Sequence, residues 1–213
     1  MAETMKVLVN QDSPRAASEE TEINAKGSKR GELAVLDFYT AMALEGRVFQ
    51  VRAGTITAPL TGDIVITDAA AEMSADAATG TTIIPVYLNC HLESLNGGTL
   101  PEIAAKSVGA ISTAGTAFVP LPLYMGGNAA VSTARVTAAG GVTVTAEAAT
   151  TTRRHYAALS ATVGDILLAA IQFQVPPVLV GPACFYVQVA GVTAGPLYFA
   201  HFDYIELLTV NVS

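Results

Sequence analysis

His91 and Glu93 are separated by one residue in the apolar run from Ile83 to Leu95. On a β-strand, residues i and i+2 project from the same face, so both side chains could contact one metal ion. With His155 they would supply the two histidines and one carboxylate that hold non-haem iron. Such pairs also occur by chance, and a solvated strand face is the simpler interpretation. We therefore predict no metal site. If a metal is bound after all, His91, Glu93 and His155 are the candidate ligands.

His201 and Asp203 form a second pair at the same spacing, inside the run from Phe199 to Tyr204. No histidine follows them, so the order of an iron triad cannot be completed. The alternation through this run predicts a final β-strand with mixed faces. We expect this pair to have a structural role.

Four carboxylates could lend oxygen ligands to calcium, namely Asp63, Asp68, Glu72 and Asp76. Their spacing matches no known calcium-binding loop, so we predict no calcium site.

Signatures of other enzyme classes are missing from the sequence. It contains no Gly-x-Ser-x-Gly elbow, no phosphate-binding loop and no Cys-x-x-Cys pair. Cys90 and His91 are adjacent, so on a strand they would face opposite sides rather than form a nucleophile–base pair. The sequence predicts a protein that is not an enzyme, with no catalytic residue and no cofactor.

The body of the chain holds one basic cluster, Arg153-Arg154-His155. The favoured interpretation is a solvated strand end. The alternative is contact with an anionic ligand or with the acidic N-terminal arm of a neighbouring chain. Nucleic-acid binding needs many Lys and Arg side chains. Residues 33–213 instead hold more acidic than basic residues, which predicts no direct nucleic-acid binding.

Short apolar segments separated by turn signals follow Gly46 through the rest of the chain. Turns are expected at Asn96-Gly97-Gly98, at Gly126-Gly127-Asn128 and at Gly140-Gly141. This pattern predicts an all-β sandwich or barrel. Residues 33–46 suit a short helix ending at Gly46, or a strand, and the Ala-rich residues 69–80 suit a helical insertion or a loop.

The predicted fold class is all-β, a jelly-roll-like antiparallel β-sandwich with an extended N-terminal arm. An immunoglobulin-like unit is the alternative, but it usually has a core tryptophan, and the sequence has none. We expect an arm over residues 1–32 and a single β-sandwich domain over residues 33–213.

The arm is polar and mixed in charge, with 5 basic and 6 acidic residues. Such a segment cannot bury enough surface to order itself, so a neighbouring subunit is the simplest partner for it. It lacks the apolar core of a signal peptide. No apolar run is long enough for a membrane span, and Cys90 and Cys184 are expected to be buried thiols.

Charged residues make up only 14% of the sequence, against a usual share of about 25%. A soluble monomer normally carries many surface charges. The deficit predicts that part of the surface is covered by other subunits.

The chain resembles the virion structural proteins of bacteriophages over residues 34–210. The resemblance rests on abundant Ala, Thr, Val and Gly, on the arm followed by the run Ala43 to Phe49, and on the closing run Tyr198 to Glu206. It implies a jelly roll that assembles into cyclic oligomers, and it assigns no functional residue. It predicts a capsid, decoration or vertex subunit that binds itself and other virion proteins, located in the virion and assembled in the host cytoplasm.

Two other functions stay open. A carbohydrate- or receptor-binding β-sandwich would present exposed aromatic side chains, and Tyr124 beside Gly126-Gly127 is the candidate. A cupin-like or iron-dependent oxygenase would use His91, Glu93 and His155.

Overall fold

The structure is a computed structural model that describes residues 6–8, 22–24, 38–67, 69–98, 100–148, 151–157 and 166–212. Within these residues the chain forms one α-helix, α1 (Phe38–Leu44), and a short 3-10 helix, Thr209–Asn211, with β-strands elsewhere. In chain order the strands are β1 (Lys6–Leu8), β2 (Glu22–Asn24), β3 (Val48–Ala53), β4 (Leu60–Thr61), β5 (Ala70–Ala71), β6 (Met73–Ala77), β7 (Thr81–Ser94), β8 (Pro101–Val108), β9 (Thr113–Ala114), β10 (Thr116–Phe118), β11 (Leu121–Pro122), β12 (Thr133–Val136), β13 (Val142–Thr143), β14 (Thr152–Ala157), β15 (Ile166–Gln172), β16 (Leu179–Val180), β17 (Ala183–Gly191) and β18 (Leu197–Leu208).

Two antiparallel sheets form a sandwich. The seven-stranded sheet has the order β11-β3-β18-β7-β15, with β4 beside β18 and β16 beside β7. The six-stranded sheet has the order β10-β12-β6-β17-β8-β14. Side chains of both sheets meet in one core, where the rings of Phe185 and Phe202 pack edge to face with centroids 5.0 Å apart.

Eight strands give the sandwich its connectivity. The strands β3, β18, β7 and β15 belong to one sheet, and β6, β17, β8 and β14 belong to the other. Among these eight, the chain changes sheet at every step except from β8 to β14. This is the connectivity of a jelly roll. It confirms the predicted all-β fold class and favours the jelly roll over the immunoglobulin-like alternative.

The long central strands follow the alternation expected for one buried face. Leu88, Cys90 and Leu92 of β7 point into the core, while Asn89 and His91 point outward and are partly exposed. Since successive side chains of a strand alternate between faces, this pattern fixes which residues form the outer surface of the seven-stranded sheet.

A smaller apolar cluster covers the outer face of the six-stranded sheet. A three-stranded sheet of order β5-β13-β9 lies over it. Ala71 and Val142 of this small sheet pack against Val108, Cys184 and Tyr186. Cys90 and Cys184 are both buried and free, as predicted.

The Ala-rich segment 69–80 is neither a helix nor a loop, and that prediction is wrong. Its residues form β5 and β6, and Met73–Ala77 are all buried between β12 and β17. The Asp76 carboxylate accepts hydrogen bonds from the Ser112 N–H at 2.8 Å and the Ser112 hydroxyl at 2.7 Å. These partners allow a carboxylate in a buried strand, because buried charges are tolerated when they are hydrogen-bonded.

Residues 63–67 form no regular strand. Asp63 makes an isolated bridge with Ala190, and no strand continues from it.

The ambiguous segment 33–46 contains the helix α1. Gly46 follows with a φ of +71°, a backbone conformation that glycine adopts at low cost after a helix. The helix packs Tyr39, Met42 and Ala43 against the apolar cluster of Val48, Val86 and Ile205 on the outer side of the seven-stranded sheet. Residues 33–37 lie outside the described residues.

Most of the predicted arm lies outside the described residues. The parts described are β1 and β2, which pair antiparallel with each other. The arm over 1–32 and the boundary at residue 33 therefore stay predictions. No helix in the described parts of the chain is long and apolar enough to cross a membrane.

Candidate functional site

The outer face of the seven-stranded sheet carries His91, His201 and Asp203. In the register of β7 and β18, Phe199 lies opposite His91, His201 opposite Asn89, and Asp203 opposite Tyr87. All of these side chains belong to the outward-facing set of their strands. The two His-x-acid pairs found in the sequence thus lie on one face but are offset along the two strands, with His91 diagonal to His201.

Two contacts between rings hold side chains in place on this face. The imidazole of His91 stacks on the ring of Phe199, with centroids 4.9 Å apart and planes 8° apart. The ring centroids of Tyr87 and His201 are 5.9 Å apart. Stacked rings of this kind bury apolar area and restrict the side chains.

Burial changes the acidity of two groups on this face. It lowers the pKa of His201, an effect that Asp203 opposes and that His91 increases. It raises the pKa of the Asp203 carboxyl, an effect opposed by the hydrogen bond that Gln50 donates at 2.9 Å and by His201. Since the pKa of His201 lies below its ordinary value of 6.5, His201 is a neutral imidazole at neutral pH.

A cavity of about 310 Å³ lies between α1 and this face. Its apolar wall comes from Ala43, Val48, Val86 and Leu123, and its aromatic and polar wall comes from Tyr39, Thr40, Tyr87, Gln172 and Asp203. The volume is at the lower end of the range for small-molecule sites.

The three candidate iron ligands lie on two sheets. His91 and Glu93 are outward-facing residues of β7 in the seven-stranded sheet. The backbone of His155 lies on β14, at the edge of the six-stranded sheet and opposite Ala104. In the described part of the molecule, no group of three or more His, Cys, Asp or Glu side chains is placed to hold a metal ion. The absence of a metal site stays a prediction.

The candidate calcium ligands have other partners. Glu72 is buried and its carboxylate accepts a hydrogen bond from the Val189 N–H at 2.8 Å, while Asp76 binds Ser112. Burial raises the pKa of Glu72 to about 8, with the charge of Asp63 adding to the effect and the Val189 hydrogen bond opposing it. Asp68 lies outside the described residues.

The basic cluster 153–155 lies on β14, an edge strand. The side chains of this cluster lie outside the described residues, so its predicted role as a solvated strand end stays a prediction.

Sequence reasoning missed a patch of exposed apolar side chains at the α1 end of the seven-stranded sheet. We define this apolar patch by Leu44, Leu123, Tyr124, Met125 and Val131, which are 44–89% exposed. Two of its segments join the sheet through hydrogen bonds, from the Leu123 N–H to the Val48 carbonyl at 2.9 Å and from the Val131 N–H to the Glu206 carboxylate at 2.9 Å. The run Leu123-Tyr124-Met125 is the sequence signal for this patch, but an apolar strand that ends in a turn has the same composition.

Tyr124, the candidate sugar-binding residue, lies within this patch and is 51% exposed. Its carbonyl accepts a hydrogen bond from the Gly127 N–H at 2.8 Å, which closes the predicted turn. Its sequence neighbours Leu123 and Met125 are both exposed apolar side chains.

A scan against protein-family models and searches of curated proteins and of solved structures each found no match to this chain.

Proposed function

We propose that this chain is a virion structural subunit, of the capsid, decoration or vertex type, that acts by packing against copies of itself and other virion proteins. The apolar patch carries the proposal. A non-enzymatic role and a location in the virion, after assembly in the host cytoplasm, belong to the same proposal.

The exposure of the patch is the first support. Met125 is 89% exposed and Val131 is 62% exposed, and both belong to segments bound to the same end of one sheet. Groups of exposed apolar side chains often mark protein–protein contact sites. Burying such side chains against another subunit gains roughly 25 cal/mol for each Å² removed from water.

The scarcity of charge is the second support. Only 14% of the residues are charged, so the exposed apolar side chains lie on a surface with few ionised groups to oppose association. A net charge of −7 is modest for a chain of 213 residues.

The arm is the third support. β1 and β2 pair over three residues each. An isolated two-stranded pair is marginally stable in water, so it needs a surface to pack on. A neighbouring subunit would supply that surface. Segments that become ordered on binding can wrap a large area of a partner in this way.

The jelly roll is consistent with a viral setting. This architecture occurs in viral capsid proteins, and also in lectins and cupins. Because one fold hosts many functions, the proposal rests on the patch, with the charge deficit and the arm in support.

The patch is tested by the double variant Leu123→Ser, Met125→Ser, compared with the wild type by sedimentation velocity at equal concentration. We expect the variant to shift toward the monomer. The matched control is Ile56→Ser, Ile64→Ser, which removes two exposed apolar side chains in loops beyond the opposite end of β3. If both double variants assemble like the wild type, the patch is not the interface.

A carbohydrate-binding role has weaker support. Sugar sites combine an aromatic side chain with several hydrogen-bonding groups. Tyr124 is instead flanked by Leu123 and Met125, which suits protein contact better. Binding of a glycan by an isolated monomer, lost in Tyr124→Ala, would reverse this preference.

A further inference from the structure

We propose that the cavity between α1 and the seven-stranded sheet is a binding site for an organic cation, an alkylammonium or alkylguanidinium group. The charged head would lie at Asp203 and the hydrocarbon stem along the wall formed by Val48, Val86 and Leu123. The site is a property of the single chain and does not depend on whether the chain assembles.

The walls fit a ligand with an apolar stem. Ala43, Val48, Val86 and Leu123 line one side of a space of about 310 Å³. The side chains of lysine and arginine, and small amines like them, bury their methylene groups on apolar surface and keep the charged end at a polar group. The lining of the cavity offers both environments.

The charge of the cavity selects for a cation. Among the described residues that line it, Asp203 is the one Asp, Glu, His, Lys or Arg. No ion pair joins Asp203 to a cation in the described parts of the chain. The neighbouring His201 is neutral, because burial lowers its pKa. A half-buried carboxylate without a cationic partner is stabilised when a cation binds beside it.

Two aromatic rings also favour the binding of a cation. Tyr39 and Tyr87 both line the cavity that contains Asp203. A cation within about 6 Å of the centre of a tyrosine ring is attracted to the face of the ring. The Tyr87 hydroxyl accepts a hydrogen bond from the Asn89 side chain at 3.1 Å, which helps to hold that ring in place.

Other ligand classes fit less well. An anion would meet the Asp203 carboxylate, with no Lys, Arg or His among the described lining residues to balance it. A sugar ring needs several hydrogen-bonding partners, whereas four of the nine lining residues are aliphatic. The same lining suits a head group of one charge on a short hydrocarbon chain.

The cation could come from two sources with the same chemistry. One is a lysine or arginine side chain of another copy of this chain, since residues 1–32 hold 5 of its 11 basic residues. The other is a free small organic cation.

Binding is tested by NMR titration of the full chain with n-butylguanidinium and n-butylammonium chloride, with 1-pentanol and butyrate as the neutral and anionic controls. We expect saturable shifts of the Tyr39 and Tyr87 ring signals with the cations, and affinity at least about tenfold weaker for both controls. Equal affinity for 1-pentanol and for the cations would overturn the proposal, and this comparison needs no variant.

The role of the carboxylate is tested by Asp203→Asn, which keeps an oxygen for the Gln50 hydrogen bond. We expect at least about tenfold weaker cation binding. Glu93→Gln makes the same charge change on the same sheet face but outside the cavity lining, and should bind like the wild type. A folded Asp203→Asn variant with wild-type affinity would also overturn the proposal.

The source is identified by sedimentation of the full chain with n-butylguanidinium, against sodium chloride at equal ionic strength. If a neighbour's basic side chain occupies the cavity, the compound and Asp203→Asn should both weaken assembly. If the ligand is a free cation, assembly is unchanged while the NMR titration still shows binding.

Discussion

Glu206 holds Ser132 in place through two hydrogen bonds, from the Ser132 N–H at 2.7 Å and from the Ser132 hydroxyl. The same carboxylate accepts the Val131 N–H at 2.9 Å, and the Ser132 hydroxyl also contacts the Tyr204 hydroxyl at 2.7 Å. Glu206 belongs to β18 of one sheet, while β12, which begins at Thr133, belongs to the other. One carboxylate therefore anchors the segment that carries Val131 of the apolar patch.

Replacing Glu206 should loosen this segment. We expect Glu206→Ala to lower the free energy of unfolding by about 1–3 kcal/mol, because it leaves the partly buried N–H and hydroxyl of Ser132 without their acceptor. Amide hydrogen exchange of Val131 and Ser132 should become faster, and assembly should weaken. Glu93→Ala, an exposed glutamate on β7, is the control and should change none of these. Unchanged exchange at both amides in Glu206→Ala would show that the carboxylate does not anchor them.

Buried Glu72 should make stability depend on pH. Its pKa is raised from 4.5 to about 8 in the folded protein, mainly by burial. Between these two values the folded chain binds one more proton than the unfolded chain, so stability falls as pH rises. The limiting slope is about 1.4 kcal/mol for each pH unit, and the loss is complete above the folded pKa.

Glu72→Gln isolates this effect, because the amide resembles the protonated acid and keeps an oxygen for the Val189 N–H. Urea unfolding at several pH values should show similar stability for both proteins near the lower end of this window. Above the upper end the variant should be the more stable one. A difference between the two proteins that does not change with pH would contradict the raised pKa.

Gly195 should not tolerate a side chain. A Cβ at this position would overlap the backbone carbonyl oxygen of Gly62, and the Gly62 N–H binds the Pro196 carbonyl at 2.8 Å. We expect Gly195→Ala to cost at least about 2 kcal/mol of unfolding free energy, since neither backbone can move without breaking this contact.

The matched control is Gly109→Ala. A Cβ there would meet no atom within 4 Å, so stability should change by less than about 0.5 kcal/mol. Equal urea midpoints for Gly195→Ala and Gly109→Ala would contradict the close approach of the two backbones.

The sequence predicts the fold class well where alternation is regular. In β18, Ala200, Phe202 and Tyr204 are buried, while His201 and Asp203 are partly exposed, as the pattern requires. The alternation is interrupted after Asp203, where a register shift against β7 is found. Such a shift depends on the neighbouring strand and leaves no local mark in the sequence.

Other elements could not be predicted because their partners are distant in the chain. The buried strand β6 contains Asp76, whose hydrogen-bond partner Ser112 comes from a distant part of the chain. The cavity combines Tyr39 of α1 with Tyr87 of β7 and Asp203 of β18. No local pattern in the sequence marks any of these residues as part of a site. The site is formed only because the jelly-roll connectivity and the position of α1 place them around one cavity.

The apolar patch could not be predicted from the sequence either. Leu123, Tyr124 and Met125 have a composition typical of a buried segment. All three are exposed in the folded chain, because the segment turns away after the Leu123 N–H binds the Val48 carbonyl. Exposure of apolar residues depends on the fold and has no signature in composition.

The central claim is that burial against other subunits is the role of this chain, and its absolute mass in solution tests that claim most directly. Size-exclusion chromatography with light scattering at micromolar concentration should give a mass of several times 21.9 kDa. Removing residues 1–30 should lower that mass while circular dichroism still shows a β fold. A clean 21.9 kDa species for the full chain at every concentration would contradict the account.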